Sequence, residues 1–223
     1  MITVHHLNNS RSQRILWLLE ELGLEYEIKR YERDKNTMRA PASLREVHPL
    51  GKSPVVTDGA LTIAESGAII EYLVEQYGGG RLMPVAGSPD RLRFTYWLHF
   101  AEGTAMSPLL MKLVFNRVET GPMPFFVRPI AKKISSTVIK LFIEPEILQQ
   151  LNYMETEIAK TGWFAGDTFS AADIQMSFPL EAAASRGGLS TQYPRLMDFL
   201  QRIHARPAYQ HALTRGGVYE LLG

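Results

Sequence analysis

Two short polar segments carry side chains suited to binding or activating an anion. The first, Asn8-Asn9-Ser10-Arg11-Ser12, joins a predicted strand to a predicted helix and offers two hydroxyl groups. The second, Glu65-Ser66, follows another predicted strand and begins another predicted helix. A helix N-terminus has unpaired N–H groups and a partial positive charge, which suit a carboxylate. Ser10 or Ser12 can also cap the first helix, and Ser66 can cap the second. The pattern therefore predicts either anion ligands or helix caps at both places.

The first 80 residues have the pattern of a sheet that would hold these segments. Apolar residues at three- and four-residue spacing predict two helices, and β-favouring runs predict the strands. Asp58-Gly59, between two such runs, is a hairpin signal. A short mixed sheet with helices packed on it is the natural way to bury these elements. The predicted strands lie at residues 2–5, 26–28, 55–57 and 61–63, the helices at 15–22 and 69–77, and a loop with a short helix at 32–48.

The rest of the chain has a helical pattern. We predict a domain at residues 1–80, a linker at 81–89 and an all-helical domain at 90–223. Ser88-Pro89 has the residue types of a helix start, with serine as the cap and proline at the first helical position. Ser170-Ala171-Ala172-Asp173 resembles a capping box, in which aspartate takes the place of the more usual glutamate.

Composition excludes several classes of function. The 223 residues include no cysteine, which excludes disulfides, thiolate zinc sites and a protein thiol as nucleophile. The 24 basic and 23 acidic residues give a net charge of +1, so we expect no nucleic-acid partner. The six histidines show no metal-ligand pair, and no metal is expected. No stretch approaches the roughly 20 apolar residues that span a bilayer. Because a signal-peptide pattern is also missing, we predict a cytoplasmic protein without a membrane partner.

Three ordered motifs resemble the glutathione transferase superfamily, in particular soluble serine-type members of bacteria and fungi. The second domain adds a folding motif at residues 163–174, and together the motifs cover nearly the whole chain. The resemblance implies a thioredoxin-like domain with a mixed four-stranded sheet and helices, followed by an all-helical domain. The three motifs are the polar turn at residues 8–14, His48-Pro49-Leu50-Gly51-Lys52-Ser53-Pro54-Val55 and Ile63-Ala64-Glu65-Ser66-Gly67-Ala68-Ile69.

The resemblance also implies how glutathione is bound. A cis bond before Pro54 would turn the backbone of Ser53 outward to pair with the cysteinyl unit. Lys52 would reach the glycyl carboxylate, Ser66 would bind the γ-glutamyl carboxylate, and Glu65 would accept the ammonium group. Ser53 stands where valine is common in the family, which alters the cysteinyl subsite. Glutathione would be the co-substrate, with no metal or organic cofactor.

Ser10 is the predicted donor to the glutathione thiolate. It follows the first strand and lies four residues before Arg14, as in serine-type family members. Lowering a thiol pKa from about 8.5 by about two corresponds to about 2.7 kcal/mol, which a helix terminus alone does not supply. A direct hydrogen bond is therefore needed. Asn9, Ser12 and the Arg11 guanidinium are alternative donors, and a helix-capping role for Ser10 remains open.

The predicted reaction is conjugation of glutathione to a small hydrophobic electrophile, in a homodimeric detoxification enzyme. One alternative is glutathione-dependent reduction of peroxides or disulfides at the same site. Another is a non-catalytic interaction module with the same fold. The retained Ser10, Ser53-Pro54 and Glu65-Ser66 residues favour an enzyme.

An amphipathic segment at residues 125–141 has apolar residues at helical spacing, with three lysines between them. It fits a basic helix that touches a membrane or lines the electrophile pocket. It also fits a core helix with a solvated face, and the pattern favours this second interpretation.

Overall fold

The computed structural model describes residues 1–34 and 37–222. A four-stranded sheet with three helices occupies the first part of the chain, and helices follow it. The strands are β1 (Ile2–Leu7), β2 (Tyr26–Tyr31), β3 (Val55–Asp58) and β4 (Leu61–Ala64). The helices are α1 (Ser12–Leu22), α2 (Ser43–Val47), α3 (Ser66–Tyr77), α4 (Pro89–Phe100), α5 (Met106–Thr120), α6 (Arg128–Val138), α7 (Glu144–Thr161), α8 (Ala171–Ala182), α9 (Pro194–His204) and α10 (Pro207–Gly216). Three π-helical turns and one 3-10 turn complete them, at Ala101–Ala105, Ile139–Ile143, Ala183–Gly187 and Glu220–Leu222.

The sheet has the strand order β2-β1-β3-β4 and is mixed. β1 runs parallel to β2 and antiparallel to β3, and β3 and β4 form the predicted hairpin. The prediction of a mixed four-stranded sheet followed by a helical domain is thus confirmed. β2 extends through Lys29-Arg30-Tyr31, beyond its predicted end, because these residues pair with the last three residues of β1.

Helix α1 begins only partly as predicted. Arg11 is the N-terminal flanking residue, has helical dihedrals and makes no side-chain cap. The hydroxyl of Ser10 accepts from the N–H of Ser12, the first residue of α1, at 3.3 Å, so Ser10 satisfies a donor at the helix start as predicted, whereas Ser12 lies inside the helix and is not its cap. The two hydroxyl oxygens also lie 2.7 Å apart. The helix ends at Leu22, the predicted last residue, and Gly23 follows it in a left-handed conformation with φ of 68°.

Local signals in the helical part are confirmed. The Ser88 hydroxyl accepts from the Arg91 N–H at 3.1 Å, and Pro89 is the first residue of α4. A capping box joins Ser170 and Asp173 at the start of α8. The domain limits at 1–80, 81–89 and 90–223 stay predictions. Residues 35 and 36 of the predicted loop, and residue 223, lie outside the described residues.

Helix α1 lies in the middle of the molecule. All residues from Ser12 to Leu19 are buried, because α1 packs on β1, α3, α8 and α10. Polar side chains near its start are therefore enclosed rather than solvated. Burying such groups is costly unless they are hydrogen-bonded, so their partners define the geometry of this region.

The segment at 125–141 is not a core helix, and the favoured interpretation of it is wrong. The buried residues of α6 are the small ones Ala131 and Ser135, and only the following turn buries large apolar side chains, Ile139 and Ile143. Other large apolar residues are exposed: Phe125, Phe126, Ile130, Ile134 and Leu141. Among the described residues, no helix combines the length and apolar character needed to cross a membrane.

Candidate active site

A cleft of about 370 Å³ opens between the sheet and α5. Its sheet side brings together five residues predicted from the sequence, which come from the loop before β3 and from the end of β4. Arg11, Glu102 and Leu110 complete the opposite side. The five predicted residues are Lys52, Ser53, Pro54, Glu65 and Ser66.

The loop before β3 is tied to β1 by the side chain of Ser53. Its peptide bond with Pro54 is cis, as the resemblance implies. The Ser53 hydroxyl donates to the His5 carbonyl at 2.9 Å and accepts from the Leu7 N–H at 3.3 Å. A valine cannot make these two bonds, so serine at this position fixes the loop against the end of the neighbouring strand.

The start of α3 opens into the cleft. Glu65 precedes the helix with φ of 69° and ψ of 125°, a conformation that costs a non-glycine residue roughly 1–3 kcal/mol. Ser66 is buried and is the first residue of the helix; it is not the flanking residue, so the alternative of Ser66 as the cap is wrong. The free N–H groups of a helix start, together with the Ser66 hydroxyl, suit a carboxylate in the cleft.

Ser10 lies just behind the cleft surface. It is only 4% exposed, and its hydroxyl lies 3.4 Å from the Ser53 hydroxyl. The Ser53 proton is already donated to a carbonyl group, so Ser53 acts as an acceptor toward Ser10. Ser10 also accepts from the Ser12 N–H at 3.3 Å. Its hydroxyl proton is therefore the one that can turn toward a ligand beside Ser53.

A hydrogen-bonded chain continues inward from Ser10. The Ser12 hydroxyl lies 2.9 Å from Nδ1 of His6, and both residues are buried. Burial, with the positive charge of Arg30, lowers the pKa of His6 to about 4, although the backbone of Gly216 opposes this effect. His6 is thus a neutral imidazole near pH 7, and Ser12 contacts it rather than the cleft.

Two arginines from the first helical turn meet at Glu102. The Arg11 Nε lies 2.8 Å from the carboxylate. Arg14 is fully buried, pairs with the same carboxylate and donates to the Gln175 carbonyl at 2.7 Å. Burial would raise the pKa of Glu102, but the charges of Arg14 and Arg11 outweigh it and hold the pKa below its usual value. Glu102 is a site residue that was not predicted from the sequence, because it lies in a π-helical turn, which no local pattern of residue types marks.

Comparison with known proteins supports one family along the whole chain. Residues 1–75 match the family described as "Glutathione S-transferase, N-terminal domain", and residues 122–207 match "Glutathione S-transferase, C-terminal domain". "Glutathione S-transferase 3" of Schizosaccharomyces pombe is 37% identical, over 96% of this chain and 88% of the relative. The chain belongs to the glutathione S-transferase family. As its named relatives indicate, it is a glutathione transferase, and such enzymes use glutathione as a substrate.

Solved structures agree with this assignment. A glutathione S-transferase from Actinobacillus pleuropneumoniae has a TM-score of 0.78 and 31% identity, over 100% of this chain and 96% of that chain. A sphingomonad glutathione S-transferase, solved in complex with glutathione, has a TM-score of 0.74 and 25% identity. That alignment covers 97% of this transferase and 99% of the sphingomonad chain. The thioredoxin-like and helical parts therefore belong together as one family fold.

Two residues predicted to bind glutathione, Asn9 and Ser12, do not line the cleft of the transferase. Ser12 is enclosed beneath Ser10, as described above. Asn9 has a left-handed conformation with φ of 49°, and its side-chain carbonyl accepts from the Glu220 N–H at 2.9 Å. Both residues therefore adjoin the site without lining it. Within the described residues, no group of three or more His, Asp or Glu side chains is arranged to hold a metal ion.

Proposed function

We propose that this transferase binds glutathione along the sheet side of the cleft and joins its thiolate sulfur to a small apolar electrophile, by addition or with displacement of a leaving group such as chloride. The start of α3 supports this placement, because its N–H groups and Ser66 suit the γ-glutamyl carboxylate. Glu65 is exposed beside them and suits the ammonium group. The cis bond before Pro54 leaves the Ser53 backbone to pair with the cysteinyl unit. Lys52 is exposed at the other end, where it suits the glycyl carboxylate.

Ser10 is the proposed donor to the glutathione sulfur. The observation that carries this assignment is the 3.4 Å separation between the Ser10 and Ser53 hydroxyls, which puts Ser10 beside the cysteinyl subsite. Asn9 is held against the C-terminal segment by the bond from the Glu220 N–H to its side-chain carbonyl and does not line the cleft, and Ser12 is enclosed next to His6. Arg11 lines the cleft, but its guanidinium is paired with Glu102. We therefore assign the donor role to Ser10, whose hydroxyl proton would turn from the Ser12 and Ser53 oxygens to the sulfur.

The electrophile would bind between this sulfur and α5. Leu110 lines the cleft, and Val114 and Val118 follow at four-residue intervals, on the same helix face. All three are exposed apolar side chains, which suits a second substrate that is apolar and small. A role in detoxification, a homodimeric assembly and a cytoplasmic location stay predictions.

Ser10→Ala tests the donor. Calorimetry should find a glutathione Kd within about threefold of the native value, since the carboxylate contacts are retained. The pKa of the bound thiol, followed by ultraviolet thiolate absorbance, should rise by about one to two, because a hydrogen bond to a charged group is lost. We expect kcat with an aromatic chloride to fall by roughly 100-fold.

Ser107→Ala is the matched control, because Ser107 is exposed on α5 and its hydroxyl donates to the Gly103 carbonyl in the π-helical turn just before that helix. It should behave as the native enzyme. An unchanged thiol pKa in Ser10→Ala would contradict the donor role of Ser10 and indicate Arg11 as the donor. Faster turnover of a hydroperoxide than of an aromatic chloride would identify reduction as the main reaction of the same thiolate.

A further inference from the structure

The C-terminal segment of the described chain touches the turn that carries Ser10. We call residues 217–221 the C-terminal clasp. The clasp leaves α10 at Gly217, where φ is 86°, and reaches Asn9 through the Glu220 N–H, which donates to the side-chain carbonyl at 2.9 Å. Asn9 directly precedes Ser10 and has a left-handed backbone. Such conformations persist where the surrounding structure holds them.

The clasp is anchored in the core through Tyr219. This residue is 8% exposed, and its hydroxyl donates to Glu181 of α8 at 2.6 Å. Tyr209 of α10 donates to the same buried carboxylate, also at 2.6 Å, and Nε2 of His204 lies 3.2 Å from it. Tyr219 is thus fixed to the core through Glu181, and the next residue, Glu220, binds Asn9.

The other side of the same turn is held independently. The Arg33 N–H donates to the Asn8 side-chain carbonyl at 2.9 Å, and Nε of Arg33 donates to the Asn8 backbone carbonyl at 3.3 Å. The turn is therefore held through Asn8 by Arg33, two residues after the end of β2, and through Asn9 by the clasp. These two contacts together set the orientation of the next residue, Ser10.

We propose that Tyr219 and the backbone of Glu220 are positioning residues for thiol activation, which hold Asn9 and so aim the Ser10 hydroxyl at the glutathione sulfur. This proposal rests on the proposed role of Ser10. A donor is effective only when it is held close to the productive geometry, so movement of the turn weakens the bond to sulfur. Asn9 acts here as the attachment point of the clasp and not as a thiol donor.

Tyr219→Phe and Tyr209→Phe form a matched pair. Each removes one hydroxyl of the same type and distance from Glu181, so both should lower the melting temperature similarly. Only Tyr219→Phe loosens the clasp. We expect it to lower kcat by roughly 3- to 10-fold and to raise the pKa of the bound thiol, with KM for glutathione within about twofold. Tyr209→Phe should keep the native kcat and thiol pKa.

Glu220→Pro and Glu220→Ala form a second pair, which acts on the bond between the clasp and Asn9. Proline removes the N–H that Asn9 accepts from and suits the first position of the 3-10 turn, whereas alanine keeps that N–H. The proline variant should reproduce the effect of Tyr219→Phe, and the alanine variant should behave as native.

Equal kcat and thiol pKa within both pairs would overturn the inference. Its failure is separable from that of the proposed function by Ser10→Ala. If Ser10→Ala raises the thiol pKa while Tyr219→Phe and Glu220→Pro do not, the clasp has no positioning role and Ser10 remains the donor. If Ser10→Ala leaves the thiol pKa unchanged, the donor assignment itself fails.

Discussion

The two walls of the cleft are built on different principles. On the sheet side, the lining residue Ser66 is almost completely buried, and so are Ser10 and Ser12 behind the surface, in a hydrogen-bonded chain that ends at His6. On the helical side, Leu110 and Val114 are about half exposed and apolar. Hydrogen bonds are directional and apolar contacts are not, so the first wall suits one fixed ligand, whereas the second accepts ligands of different shapes.

Arg14 joins the two walls, and its removal should have the largest effect on stability. It is fully buried and connects α1 to Glu102 and to the Gln175 carbonyl. Arg14→Met leaves a partly buried carboxylate and a carbonyl without this donor. We expect the free energy of unfolding to fall by roughly 3–5 kcal/mol, measured by urea denaturation.

Arg11→Met is the matched control for Arg14→Met. Arg11 pairs with the same carboxylate but is one-third exposed, so its loss should cost less than about 1 kcal/mol. Similar losses in the two variants would show that burial does not distinguish these ion pairs, and the walls would then be joined by packing alone.

Protonation of His6 should make the free energy of unfolding decrease in acid. The pKa of His6 is lowered to about 4 in the fold, against about 6.5 in an unfolded chain. The unfolded state therefore binds more protons between these values, and stability is lost as the pH falls from about 6.5 to 4. The gap corresponds to roughly 3 kcal/mol. His6→Asn should flatten the dependence of unfolding free energy on pH by about that amount.

His211→Asn provides the comparison for His6, since the His211 side chain is three-quarters exposed. It should leave the pH dependence as in the native transferase. A His6→Asn variant with the native slope would mean that His6 is protonated in the fold at little cost, contrary to its enclosed position next to Ser12.

The variant Asp173→Ala tests whether a buried carboxylate in the helical part stabilises the fold without affecting glutathione binding. The Asp173 carboxylate accepts from the Phe164 and Ser170 N–H groups, each at 2.8 Å. Asp173→Ala removes the capping box and leaves buried donors, so it should lower the free energy of unfolding by about 2 kcal/mol. The glutathione Kd should not change. Ser88→Ala, at a more exposed cap, should cost about 1 kcal/mol, and an unchanged melting temperature for Asp173→Ala would contradict this role.

The sequence predicted those features that depend on neighbouring residues. The cap at Ser88 and the box at Ser170–Asp173 involve partners within four residues, and the hairpin at Asp58-Gly59 pairs residues three to nine positions apart. The Ser10–Ser53 contact and the Glu220–Asn9 bond join residues 43 and 211 positions apart, so no local pattern marks them. A hydroxyl after a strand suits a cap and a ligand equally, which is why Ser10 stayed ambiguous.

The prediction of a core helix at residues 125–141 was wrong for another reason. The amphipathic period of this segment gives the same signal whether the apolar face packs on a core, a ligand or another surface. What distinguishes these cases is the neighbour that covers the face, and that neighbour is set by tertiary packing. In the described chain, the short side chains Ala131 and Ser135 take the inward positions of α6, and the large apolar ones remain outside.

Substitutions on the exposed apolar face of α6 should have the smallest effect on the free energy of unfolding. Ile134 is 55% exposed, so Ile134→Ser should change the free energy of unfolding of the single chain by no more than about 0.5 kcal/mol. Ile139→Val, at a buried position in the following turn, should cost about 1 kcal/mol. Both variants are measured at two protein concentrations. A larger loss for Ile134→Ser that grows with dilution would show that a second copy covers this face, and the helical wall would then be completed by assembly.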